Sequence, residues 1–289
     1  MNCFNGEKFL RNAVESVISQ SFQNWELIFY DNQSTDNSAE IFKSFTDVRL
    51  KYFYAKNHTV LYEARNNAIK QASGQFYAFL DVDDWWSPSK LEKQIPLFDN
   101  PKVGIVYGNY WFENEIKGIS TVKFSKPLPS GNIIDELLGN CVVGLLTIVI
   151  RRQTFENLNP PGFNNRFHII GDFDLVIKTA LDWKILCVND PIAHYRWHGK
   201  NESAFNRELQ IEELDSWLLE TKSILQKKAS NGIIKFNNSL TYQKAQQHLQ
   251  NKDYLNVWNC IKRLKSTELI KLILLIVLPN FLLTKIRTI

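Results

Sequence analysis

Phe79-Leu80-Asp81-Val82-Asp83-Asp84-Trp85 sets three carboxylates within four residues, directly after an apolar run from Phe76 to Leu80. Asp81 and Asp83 are spaced i, i+2, so on one continuous strand they would share a face. So much like charge at a strand end is costly without a cation, because neighbouring carboxylates resist ionising together. A hard divalent ion, Mg2+ or Mn2+, removes that cost and can then hold a phosphate. The competing reading is a solvated acidic turn before a helix, with Ser87 as N-cap and Pro88 at the first position. The segments on either side decide between them.

Working outward, strands alternate with helices. Leu10, Ala13, Val14, Val17 and Ile18 share one face of a helix over 7–20. Trp25 to Tyr30 reads as a buried strand ending at Asp31. The polar loop Asn32 to Asp36 precedes a helix over 37–45, followed by a strand over 50–55 and a helix over 61–72. Gln75 to Leu80 is the strand that delivers the aspartates. This alternation predicts an α/β fold with a mainly parallel sheet flanked by helices on both faces. Ligands bind such sheets beyond the carboxyl ends of the strands, where Asp31 and Asp81 to Asp84 lie. Further on, the pattern predicts helices at 90–98, 133–138 and 172–182. Strands are expected at 103–112, 119–124, 146–151, 184–188 and 192–197. From about residue 205 only helices follow, at 207–228, 240–250 and 253–265, then an apolar tail. The expected division is an α/β domain over 1–205 and a helical appendage over 206–289. The chain opens directly on the loop Asn2-Cys3-Phe4-Asn5-Gly6, so the strand that should precede the first helix is expected to be missing.

The 289 residues, 44% hydrophobic and 13% aromatic, suffice for a large core. A net charge of +4 without a basic stripe argues against nucleic acid as a partner. Cys3, Cys141, Cys187 and Cys260 are widely separated with no CxxC pair, which suits a reducing compartment and excludes a zinc ribbon.

Taken together, Asn5-Gly6-Glu7-Lys8-Phe9-Leu10, Tyr30 to Ser38, Ala64-Arg65-Asn66-Asn67-Ala68-Ile69, Asp81-Val82-Asp83-Asp84 with Trp86 and Pro88, Gly171-Asp172-Phe173-Asp174, and Tyr195-Arg196-Trp197-His198-Gly199 follow one another in order. Each motif is weak alone. In this order and spacing they resemble the family 2 glycosyltransferases of GT-A fold, over residues 2–203. The resemblance implies inverting transfer of a sugar from a nucleoside diphosphate sugar to an acceptor hydroxyl. It implies a Mn2+ or Mg2+ cofactor.

The individual residues carry that reading as follows. Asp31, at a strand end, suits hydrogen bonds from a base or ribose, and the resemblance puts it, with Phe4, at the donor nucleotide. Arg65 falls within the apolar face of its helix and needs an anionic partner. That partner is either an internal carboxylate, Asp31 or Asp81, or the nucleotide that the resemblance implies. By resemblance, Asp83 holds the metal and diphosphate, and Asp81 lies near the ribose or sugar. Asp172, on the first turn of its helix, where the dipole favours an anion, is the candidate base for the acceptor hydroxyl. Asp174 points about 200° away around the helix and is the weaker choice. The family often has Glu-Asp where this chain has Gly171-Asp172. His198 is the candidate metal ligand over the diphosphate, with His194 as competitor.

Leu269 to Leu283 is apolar but shorter than the ~20 residues that span a bilayer. With Lys262, Arg263, Lys265, Lys271, Lys285 and Arg287 around it, it reads as an interfacial helix on an anionic membrane surface. That fits a lipid-linked glycan acceptor in surface polysaccharide synthesis and a cytoplasmic protein peripheral on the inner face of the plasma membrane. A sugar-nucleotide pyrophosphorylase would need a glycine-rich loop where Asn2 to Gly6 has one glycine. An aspartate-nucleophile phosphatase would need small residues where Asp84-Trp85-Trp86 stands. The remaining alternative is an inactive, N-terminally truncated remnant that at most binds nucleotide.

Overall fold

The computed structural model describes residues 1–201 and 206–277, and its strands form two sheets. In the first, β1 (Asn2–Cys3), β2 (Leu27–Asp31) and β3 (Leu50–Tyr54) run parallel in that order. Helices α1 (Glu7–Ile18) and α2 (Ser38–Lys43) lie between these strands in sequence, and α3 (Leu61–Ile69) follows β3. All five residues of β2 are buried, as expected of a parallel strand covered on both faces. Leu10, Ala13, Val14 and Val17 of α1 pack with Leu27 and Phe29 on one side. Ala64 and Ala68 of α3 pack with Ile28 and Tyr30 on the other. Each fully buried Leu or Val contributes roughly 1.5–3 kcal/mol, and this fixes α1 and α3 on opposite faces of β2.

The first strand, expected to be missing, is present in short form. Asn2 and Cys3 pair with Tyr30 and Asp31, and Met1 N donates to Ile28 O at 2.9 Å. Among the described residues, no strand pairs with the remainder of that edge of β2. Leu27, Ile28, Phe76, Tyr77 and Ala78 instead line a cavity of about 570 Å³, which Arg65 also lines.

The second sheet is mixed, in the order β4-β8-β6-β9-β5, with β7 also paired to β6. Its strands are β4 (Phe76–Ala78), β5 (Trp85–Trp86), β6 (Val103–Asn114), β7 (Ile119–Val122), β8 (Val149–Arg151) and β9 (Lys184–Trp197). Only β6 and β9 pair in parallel here, so parallel pairing predominates in the first sheet alone. The short link between β6 and β7 permits only a hairpin, since a parallel partner needs a crossover of a dozen or so residues. The two strands expected at 184–188 and 192–197 are one strand, β9. Its register against β6 shifts around Asn109, which pairs with Pro191, a residue with no N–H to give the ladder. The helices of this part are α4 (Lys90–Gln94), α5 (Ile134–Gly139), α6 (Arg152–Glu156) and α7 (Gly171–Ala180).

A second compact unit comprises, among the described residues, 206–277 together with Leu138–Asn140. It contains α8 (Arg207–Lys228), α9 (Ser230–Gln250), α10 (Tyr254–Ile261) and α11 (Ser266–Val277). Helix α9 starts well before the expected residue 240. Asn237, Asn238 and Ser239 mask its apolar stripe, but Ile233, Phe236 and Leu240 are buried at helical spacing. The apolar tail is helical through Val277, and residues 278–289 lie outside the described residues. Among the described residues, no helix is long and apolar enough to cross a membrane.

Candidate active site

Asp81 to Asp84 is a turn, not the end of a continuous strand. Strand β4 stops at Ala78, and Asp84 N donates to Asp81 O at 3.2 Å. The shared-face geometry expected of Asp81 and Asp83 therefore does not hold, because the chain reverses at Val82–Asp83 into β5. The loop after β1 closes over this turn. A side chain on Gly6 would come within 2.8 Å of Val82 Cγ2, so a residue without a Cβ is required there.

Each carboxylate of the turn has a different partner. Asp81 accepts two hydrogen bonds from the buried Arg65 Nη2, at 2.7 and 2.9 Å. Of the two internal partners expected for Arg65, the structure selects Asp81. The side chain of Asp81 is still 42% exposed and free to meet a ligand on its other side. Asp83 Oδ2 lies 3.1 Å from His198 Nε2. Burial and the Asp81 charge raise the pKa of Asp83, against which His198 works. Asp84 is buried and accepts from Arg196 N at 2.9 Å; burial, then the Asp83 charge, raise its pKa further.

Antiparallel pairing of Trp85 with His194 brings β9 to the turn. Arg196 then acts as a clamp. Its Nε donates to Asp83 O at 2.7 Å and its Nη2 to Asn12 Oδ1 at 2.8 Å, and it is ion-paired with Glu115. Its guanidinium sits 4.5 Å from the Phe9 ring and 4.4 Å from the Trp85 ring. Asn201 Oδ1 accepts from His198 N at 3.0 Å, and Asn201 Nδ2 donates to Arg196 O at 2.8 Å. The competitor His194 is occupied elsewhere: Nδ1 is 2.8 Å from Glu113 Oε1, and its ring stacks on Trp85.

Asp172 stands on the first turn of α7. Its Oδ1 accepts from Phe173 N at 2.8 Å and lies 3.4 Å from Tyr62 Oη. Asp172 retains some accessible surface, but protein crowds the carboxylate. This desolvation pushes its pKa up, with Arg65 opposing. Asp174, the weaker candidate, is buried and paired with Lys178 at 2.7 Å. Arg65 lies 5.3 Å from the Tyr62 ring and interacts electrostatically with both Asp81 and Asp172.

Arg65, Asp81, Asp83, Asp172 and His198 are thus linked through successive contacts. Asp31 is not on this rim. It is fully buried, accepting from Ser34 N and from Tyr52 Oη, both at 2.7 Å, so it ties the 32–36 loop to β3. The exposed group on that side is Phe4, 53% exposed, with its ring 4.5 Å from that of His58. His58 Nδ1 is held by Asn32 O at 2.8 Å. Sequence reasoning gave no role to Arg196, Tyr62 or His58. Arg196 alone had a visible signal: it lies inside a quoted motif, two residues from His198.

Among the described residues, no three His, Cys, Asp or Glu side chains form a ready-made metal cluster. The donors that do meet, the Asp83 carboxylate and the His198 imidazole, suit Mn2+ and would leave coordination positions open for a ligand.

A profile of the Glycosyl transferase family 2 matches residues 1–157. An Escherichia coli UDP-Glc:alpha-D-GlcNAc-diphosphoundecaprenol beta-1,3-glucosyltransferase, WfgD, is 37% identical over 192 residues, which are 65% of this chain and 71% of that protein. A putative teichuronic acid biosynthesis glycosyltransferase of Bacillus subtilis, TuaG, is 29% identical over 195 residues, 67% of this chain and 75% of that one. Among solved structures, S. aureus TarS 1-349 in complex with UDP-GlcNAc superposes with a TM-score of 0.58 at 16% identity, over 88% of this chain and 87% of that one. The mannosyltransferase PcManGT from Pyrobaculum calidifontis, in complex with GDP-Man and Mn2+, superposes with a TM-score of 0.60 at 14% identity, over 89% and 79%. At these identities the structural likeness bears on the fold, which is GT-A. Its two-sheet core and the profile match over more than half its length agree, and the chain belongs to glycosyltransferase family 2.

Proposed function

We propose that this protein is an inverting, metal-dependent glycosyltransferase. It moves a sugar from a nucleoside diphosphate sugar to a hydroxyl of a lipid-linked glycan, in surface polysaccharide synthesis, working as a cytoplasmic protein peripheral on the inner face of the plasma membrane. The observation that carries the reading is the Asp83–His198 pair, joined through Asp81, Arg65 and Tyr62 to a separate carboxylate, Asp172. Asp172 takes the acceptor proton while the acceptor oxygen bonds to the anomeric carbon and the bond from that carbon to the diphosphate oxygen breaks. Arg65 favours the ionised form of Asp172 against the effect of burial, and directs Asp81 toward the sugar or ribose. The exposed Phe4 ring, backed by His58, offers a stacking face for the base, and Asp31 supports the adjoining loop. Asp83 and His198 would hold Mn2+ or Mg2+, which as a Lewis acid stabilises charge on the departing diphosphate.

The donor complexes of TarS and PcManGT and the lipid diphosphate acceptor of WfgD support the substrate classes. Release of nucleoside diphosphate from a panel of UDP-, GDP- and dTDP-sugars with Mn2+ tests the reading. Asp83→Ala abolishes release, and Asp172→Asn abolishes transfer while donor binding stays within a few-fold. Full transfer by Asp172→Asn would move the base elsewhere. The second reading is a chain that binds nucleotide without transferring sugar. Donor binding with no turnover by the wild-type chain would select it.

A further inference from the structure

Helices α10 and α11 are apolar on both sides. Their inner faces close on α9: Leu264 and Leu272 are buried with Ala245, and Cys260, Ile261 and Leu269 pack against that cluster. Their outer faces carry large apolar side chains in water. On α10 these are Tyr254, Leu255 and Trp258, at 66%, 72% and 56% exposure. At 100° per residue they fall within one 100° arc, and Lys262 continues it. Lys262 Nζ lies 5.6 Å from the Trp258 ring. On α11, Ile270, Ile273 and Leu274 are exposed at i, i+3 and i+4.

Such a patch needs an occupant, and its charge indicates which. From Tyr254 to Leu274 the basic residues are Lys262, Arg263, Lys265 and Lys271, all exposed, against a single acid, Glu268. Exposed Trp and Tyr beside Leu and Ile, rimmed by Lys and Arg, match the interface of an anionic bilayer: aromatic rings settle at headgroup depth and cations meet lipid phosphate. A second copy of this chain would set one basic rim against another. We propose that the outer faces of α10 and α11 dock on an anionic lipid surface. The inference rests on the reading of a lipid-linked acceptor only for its biological sense, since its test involves no sugar donor.

The test is co-sedimentation of the full chain with vesicles of phosphatidylglycerol and phosphatidylcholine, and with vesicles of phosphatidylcholine alone. The expected result is binding to the anionic vesicles that weakens with salt and falls about tenfold or more without the anionic lipid. Tyr254→Ser/Leu255→Ser/Trp258→Ser should lose about tenfold or more in partitioning, with unchanged circular dichroism. Replacing Lys262 and Lys271 by Glu should abolish the preference for anionic vesicles. Equal pelleting of wild type and the triple variant overturns the proposal. So does conversion of a wild-type dimer to a monomer by the triple variant with vesicle binding unchanged, which would make the patch a contact between copies. Failure of the transferase assays leaves this result untouched.

Discussion

The Tyr62 ring occupies the space where a side chain on Gly171 would begin: an ideal Cβ there would lie 2.6 Å from both Cε2 and Cζ of Tyr62. Tyr62 is buried and cannot yield, because its hydroxyl donates to Ile169 O at 2.9 Å and accepts from Asp172 N at 3.3 Å. This accounts for glycine where the family often has glutamate. Gly171→Ala is expected to cost about 1–3 kcal/mol by overpacking. The urea midpoint measures it. Tyr62→Leu added to Gly171→Ala should recover part of that loss, and a single Gly171→Ala variant as stable as wild type would contradict the contact.

Asp172, the proposed base, also bears on stability. Its pKa is raised in the folded protein, chiefly by burial. The folded state therefore binds more protons than the unfolded chain, and stability falls as pH rises from the ordinary Asp value, about 3.9, through the folded pKa. Above that window the full cost is present. Asp172→Asn should be at least as stable as wild type at pH 7, with the difference vanishing near pH 3. Denaturant midpoints at the two pH values decide it, and a variant less stable at pH 7 than at pH 3, relative to wild type, would reverse the sign.

Arg65 holds Asp172 toward its ionised form. Arg65→Met should move the acid limb of kcat/KM to higher pH, because desolvation is then opposed by the backbone N–H groups of Phe173 and Asp172 without the guanidinium charge. The stability loss should stay near 1–2 kcal/mol, below the roughly 3–5 kcal/mol of a fully buried pair, since Asp81 is 42% exposed and can turn to water. An unshifted acid limb would remove Asp172, or its coupling to Arg65, from the rate-determining proton transfer.

Much of this site was legible in the sequence. The acidic turn, Arg65 on an apolar helix face, and Asp172 at a helix start are local patterns, and local patterns survive into the fold. Asp31 was legible as a strand end but not as a buried one, because its partner, the Tyr52 hydroxyl, comes from the neighbouring strand. Arg196 was missed for the same reason. It reaches Asn12, Glu115 and Asp83, none near it in sequence. The mixed pairing of the second sheet likewise depends on partners far apart along the chain, which periodicity does not encode.

Arg196 does not touch the proposed metal position, yet it orients what does, through Asp83 O, Asp84 and Asn201. Arg196→Lys keeps the charge but loses the planar fork that reaches several partners at once. The apparent Mn2+ affinity should fall about 10–100-fold, the usual effect of losing an outer-shell support. Titration of nucleotide release against Mn2+ reads this as a shifted midpoint with the plateau largely retained. A lowered plateau with an unshifted midpoint would assign Arg196 to chemistry instead.

Lys90 is a buried amine that the proposed chemistry does not use. It is 0% exposed, its Nζ donates to Gln94 Oε1 at 2.7 Å and lies 4.3 Å from the Trp86 ring, and Gln94 Nε2 in turn donates to Val106 O and Thr147 O. Among the described residues no carboxylate is paired with it, and desolvation lowers its pKa well below the ordinary lysine value. The unfolded chain then binds the extra proton, so stability rises with pH from the folded pKa up to the unfolded one, about 10.4. Lys90→Met lacks that proton in both states. It also leaves Gln94 Oε1 without its donor, a loss of about 1–3 kcal/mol that does not vary with pH. Every other titrating group is common to the two proteins, so the difference between their urea midpoints isolates Lys90. From pH 7 to pH 10 wild type should gain stability relative to Lys90→Met, and parallel curves would mean that Lys90 keeps its proton inside the core.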